Sequence, residues 1–110
     1  MSAYELYQEL DTYTSALLHQ VDTGDAEVRL LRHAPEGGYR EMASRVRNVT
    51  MLAQQGGKAN MSFLKMQKQM QGMGSAGMNT GHLDTIKARI RERNLDICRF
   101  CYPDQNIDPV

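Results

Sequence analysis

Tryptophan is absent and phenylalanine occurs twice in 110 residues. Leu, Ile, Val and Phe together supply 21 residues, about 19%, near the level at which a chain struggles to bury enough apolar surface. Eight Met add bulk, but their flexible side chains specify packing loosely. So thin a core points to self-association, and a homodimer or a higher oligomer is expected. No run of about 18 apolar residues occurs, which excludes a membrane-spanning helix. The opening "MSAYELYQEL" lacks the basic start and apolar block of a signal peptide. Cysteine is confined to "CRFC", Cys98 and Cys101. That is too few for a disulfide scaffold and suits a reducing compartment, so a cytoplasmic location is expected.

Net charge is missing too, with 13 basic and 13 acidic side chains. The balance conceals a division along the chain. Residues 1–36 carry a net −5, residues 37–93 a net +7 and residues 94–110 a net −2. A basic block of this kind serves either as a solvated face or as the seat of a polyanion.

Nor is there strand-period alternation, so the fold is expected to be all-α, a small helical hairpin or bundle. Ser2 and Glu5 form an S-x-x-E start, and Ala3, Leu6, Leu10, Tyr13 and Leu17 recur at spacings of 3 and 4. "VDTGD" should end that helix. Asp25 can cap a short helix "AEVRLLRHA" with Val28 and Leu31 inward, and "PEGG" reads as a turn. Tyr39, Met42, Val46, Val49 and Ala53 form the next apolar stripe, over a helix of about 25 Å that the double glycine at 56–57 should end. A fourth helix over 59–71 places Phe63, Met66 and Met70 together. The segment 72–81, "GMGSAGMNTG", reads as a flexible linker. The last helix, over 82–94, carries Leu83, Ile86 and Ile90 on one face. Its tail, "CYPDQNIDPV", reads as irregular or disordered. The organisation is thus a helical domain over 1–71, a Gly/Met-rich linker over 72–81, and a basic helix with an irregular tail over 82–110.

The densest basic helix is "YREMASRVRNVTMLAQQ". Arg40, Ser44, Arg47, Met51 and Gln54 fall opposite its apolar stripe, with Glu41, Arg45 and Asn48 on the flanks. Arginine, serine, asparagine and glutamine are donors suited to phosphate and ribose oxygens. No aromatic interrupts the row, so it is no platform for stacking unpaired bases. A straight row of this kind fits a double helix, with duplex RNA contacted through phosphates and 2′-hydroxyls and little sequence reading. Lys58, Lys65 and Lys68 extend the charge. The bland alternative is a solvated face whose arginines pair with acids of the first helix.

The opening "MSAYELYQEL", the apolar stripe to Val21 and the Arg-bearing "SRVRNVTMLA" resemble the small double-stranded-RNA-binding silencing suppressors of nodaviruses, over residues 2–55. The resemblance implies an all-helical antiparallel homodimer that lays paired helices along an RNA duplex without reading sequence. It places the RNA-facing helix on Arg40, Arg45 and Arg47. "PEGG" interrupts what is one long helix in that family. A second stretch, "VTMLAQQGGKANMSFLKMQ", is similar to export-apparatus and rod-junction proteins of flagella through Lys58, Ala59, Ser62 and Phe63.

Other constellations are sparse. Cys98-x-x-Cys101 has the spacing of half a zinc site, which two chains sharing their pairs could complete. The plainer reading is two small apolar residues beside Ile97 and Phe100. Met61, Met66, Met70, Met73 and Met78 could form an adaptable surface for a protein partner, so a non-enzymatic adaptor or assembly subunit is the second functional class. There is no Gly-rich strand-to-helix loop, carboxylate cluster or Cys–His arrangement for catalysis, so neither enzymatic activity nor a small-molecule substrate is expected.

Overall fold

The computed structural model describes the backbone of residues 1–69 and 77–107 and the side chains of residues 1–59 and 83–107. Four α-helices make up the fold: α1 (Ala3–Leu18), α2 (Ala26–Leu31), α3 (Tyr39–Gln69) and α4 (Gly77–Cys101). No strand occurs among the described residues, so the fold is all-α. No helix among them is long and apolar enough to cross a membrane.

α1 starts where Ser2 accepts the Glu5 N–H at 3.1 Å, supplying a partner that the first helical turn cannot provide itself. Ala3, Leu6, Leu10 and Tyr13 are buried along its stripe, each leucine contributing about 1.5–3 kcal/mol. The helix closes with Gln20 in the left-handed region at φ 54. There the Val21 N–H reaches the Ala16 carbonyl at 2.8 Å and the Gln20 N–H reaches Leu17 at 3.1 Å, the paired bonds that satisfy carbonyls at a helix end.

α2 is a return segment of six residues. Its buried residue is Leu30, not Val28, which is 58% exposed; Leu31 is half-buried. At 100° per residue, positions 28 and 30 point almost oppositely, and Leu30 meets the core. α3 then runs parallel to α1. Tyr13 bonds Thr50 at 2.8 Å, and Leu17 lies against Gly57. Met42, Val46, Val49 and Ala53 are fully buried. Tyr39 is 59% exposed, because it opens the helix where no neighbouring element covers it.

The double glycine does not end α3. Each helical glycine costs about 1 kcal/mol relative to alanine, which motivates the expected stop. Here both are buried, and they allow a close crossing. A Cβ on Gly57 would lie 2.5 Å from the Leu17 carbonyl oxygen, and one on Gly56 would lie 2.5 Å from Leu18 Cδ2 and 3.0 Å from Ile86 Cγ2. The expected break at 56–57 is therefore a contact point, and α3 continues as one helix of 31 residues.

α4 runs back antiparallel to α3, with Ile86 beside Gly56 and Phe100 beside Gly38. It begins at Gly77, inside the expected 72–81 linker; positions 72–76 lie outside the described residues. It also passes Asn94, its expected end, and stops at Cys101. Buried Ile97, Cys98 and Cys101 prolong the apolar stripe, and Asn94 itself is buried. The Asn94 Oδ1 has no hydrogen-bond partner among the described residues.

The tail is irregular after Cys101 but fastened through Ile107. Gln105 Oε1 accepts the Ala3 N–H at 2.7 Å, and Tyr102 and Ile107 pack on the core. One apolar cluster joins residues of all four helices.

Candidate nucleic-acid interface

α3 presents its core stripe to α1 and α4 and its opposite face to solvent. Arg40, Ser44, Arg47, Met51, Gln54 and Lys58 are all exposed on that outward face. The arrangement follows from helix period, since each lies roughly half a turn from the Met42–Val46–Val49 stripe. By axial rise, Arg40 to Lys58 covers about 27 Å. Arg40, Arg47 and Lys58 have no ion-pair partner among the described residues. Among the described residues, their charge is not consumed by pairing.

Arg45 lies on the expected flank of the row, but it is engaged instead of free for a polyanion. Its Nε donates to Glu41 Oε1 at 3.0 Å, its side chain is 38% exposed, and its guanidinium carbon lies 4.8 Å from the Phe100 ring centroid. The reason is angular: position 45 falls on the flank toward α4, where the aromatic face and the carboxylate engage it. No α3 arginine pairs with an α1 carboxylate among the described residues. Asn48 is exposed on the same flank. The side chains of Lys65 and Lys68 lie outside the described residues, as do those of Met61, Met66, Met70, Met73 and Met78.

Between α3 and α4 lies a polar groove of about 180 Å³, bordered by Ser44, Arg45, Asn48 and Glu41 from one helix and Arg93, Asp96 and Ile97 from the other. α1 and α2 border a wider groove of about 420 Å³ whose charged walls are Glu5, Glu9 and Arg29. The α1–α2 groove thus has one more carboxylate than arginine on its walls, whereas the α3–α4 groove has two of each.

The polar centre that sequence reasoning missed is His33. Its side chain is 4% exposed. Nε2 meets Glu9 Oε2 at 2.5 Å, and Nδ1 meets the Tyr102 hydroxyl at 2.7 Å. In the neutral ring, Nε2–H donates to the carboxylate and Nδ1 accepts from the hydroxyl. The network ties the end of α2 to α1 and to the tail. Nothing in local spacing announces it, because its members stand 24 and 69 residues from His33.

Cys98 and Cys101 are core residues beside Ile97. The Cys101 thiol donates to the Met42 sulfur at 3.4 Å. Burial pushes the Cys98 thiol up to about 12 and the Cys101 thiol up to about 11; both are protonated at neutral pH. No group of three or more His, Cys, Asp or Glu converges among the described residues.

The chain matches no protein-family model, no curated protein and no solved structure.

Proposed function

We propose that the protein binds double-stranded RNA independently of sequence, laying the outward face of α3 along the duplex and shielding it from processing enzymes, as a cytoplasmic suppressor of RNA silencing does. One observation carries the reading. Arg40, Arg47 and Lys58 stand exposed on one helix face with no ion-pair partner among the described residues. Ser44 and Gln54 add uncharged donors to the row. Phosphate contacts from such groups position a duplex without reading it, and the lack of aromatics disfavours unpaired bases. A homodimer would double the cations presented. The adaptor reading draws on methionine side chains outside the described residues, so no structural observation favours it.

The test is a titration of labelled duplex RNA of about 20 base pairs, long enough for a shape-reading module, at several salt concentrations. Binding that is indifferent to sequence and falls steeply with salt is expected. Replacing Arg40, Arg47 and Lys58 together by Ala should weaken binding more than tenfold and lower the salt slope by about 3, with helicity unchanged. Unchanged affinity in the triple variant, or absence of binding by the native chain, overturns the proposal.

A further inference from the structure

The groove between α3 and α4 adjoins the α3 row through Ser44, which lies between Arg40 and Arg47 on the outward face. Its walls carry two arginines and two carboxylates, a balance that looks neutral. The pairings resolve it. Glu41 is engaged by Arg45 at 3.0 Å, and Asp96 by Arg99 at 3.5 Å. Arg93 has no ion-pair partner among the described residues. The groove of about 180 Å³ is therefore bordered by one guanidinium with no ion-pair partner among the described residues, together with a hydroxyl and an amide. A guanidinium with two uncharged donors is the set that holds a single phosphodiester.

We infer that this groove seats one backbone phosphate of the polyanion, held by Arg93 of α4 with Ser44 and Asn48 of α3. The duplex then bears on two helices instead of one, and its rotation about the α3 axis is fixed. This inference rests on the nucleic-acid reading of the α3 row. Glu41 and Asp96 border the same space, so they repel the ligand and keep its hold weak.

The full chain is titrated with the same labelled duplex across a salt series. Arg93→Ala should weaken binding about 3- to 10-fold and lower the salt slope by about 1. Arg32→Ala, which removes an equal charge from an exposed site beside α2, should change neither. Ser44→Ala with Asn48→Ala should weaken binding with the salt slope preserved, since neither residue is charged. Asp96→Asn should tighten binding. All these positions are exposed, and circular dichroism verifies each fold. If the native chain binds and the α3 triple variant loses binding while Arg93→Ala behaves like Arg32→Ala, the groove assignment is overturned and the α3 reading stands. If the native chain fails to bind duplex RNA, both fall.

Discussion

Arg45 and Arg47 are separated by one residue and have different occupations. Arg47 points outward, whereas Arg45 is held by Glu41 and the Phe100 ring. Exposed pairs and ring contacts of this sort are each worth under about 1 kcal/mol, so Arg45 trims the packing of α4 without anchoring it. The His33 network matters more. Tyr102→Phe keeps the ring but removes the hydroxyl that meets Nδ1 at 2.7 Å. A buried imidazole nitrogen left unpaired costs about 1–3 kcal/mol, so a fall in melting temperature of several degrees is expected in a thermal scan. No fall would mean that Nδ1 finds another partner.

The two thiols give a pH dependence of definite sign. Burial raises Cys98 from 9.0 to about 12 and Cys101 from 9.0 to about 11. Below pH 9 the thiols are largely neutral in both folded and unfolded chains and contribute little slope. Above it the unfolded chain ionises first and binds fewer protons, so stability falls as pH rises from about 9 toward 12. Burial also raises Tyr7, Tyr13 and Tyr102, which adds to the same trend. The urea midpoint should drop across that window, and less steeply in a Cys98→Ala/Cys101→Ala variant. An equal slope in both would exclude the thiols as its source.

At the scale of elements, Gly57 decides how α3 crosses α1. Alanine ordinarily gains about 1 kcal/mol over glycine inside a helix. At position 57 its Cβ would stand 2.5 Å from a backbone carbonyl oxygen, and forcing helices apart costs about 1–3 kcal/mol. Gly57→Ala should therefore lower the urea midpoint despite its better propensity. Gly56→Ala should cost less, because the nearest atom it meets is the end of the Leu18 side chain. An increase in stability for Gly57→Ala would refute the close-crossing account.

The same glycines mark what local reasoning could reach. The stripes of α1 and α3 were legible because Leu6, Leu10, Met42, Val46 and Val49 follow the helical period and little else competes. The exposure of Arg40, Ser44, Arg47 and Gln54 follows from that same period. The continuity of α3 was hidden, since glycine reads as a stop unless one knows that another helix passes beneath it. The end of α4 was misplaced because Asn94 looks polar, yet it is buried, on the same helix face as Ile90, Ile97 and Cys98. Leu30 in place of Val28 was illegible in a helix of six residues, too short to establish a phase. The contact of Arg45 with the Phe100 ring was illegible, because Phe100 is 55 positions away in sequence.

Across the whole molecule, one core draws on every helix. Ile86, Ile90, Ile97 and Cys98 belong to the same buried cluster as Leu6, Leu10 and Val46. Thermal unfolding should therefore be a single transition, with far-ultraviolet and near-ultraviolet dichroism coinciding. A fragment ending at residue 71 should lose most of its helicity. Two separated transitions, or a well-folded fragment, would show that the halves are independent.

The packing of α1 against α4 has a consequence for synthesis. α1 leaves the ribosome well before its partners on α4. At about 5–20 residues per second, the interval before Cys101 emerges is on the order of ten seconds. Throughout it the Leu6–Leu10 stripe has no finished seat. Until α4 arrives, the carboxylates of Glu5, Glu9 and Asp11 on α1 are charges that keep such a nascent stripe dispersed.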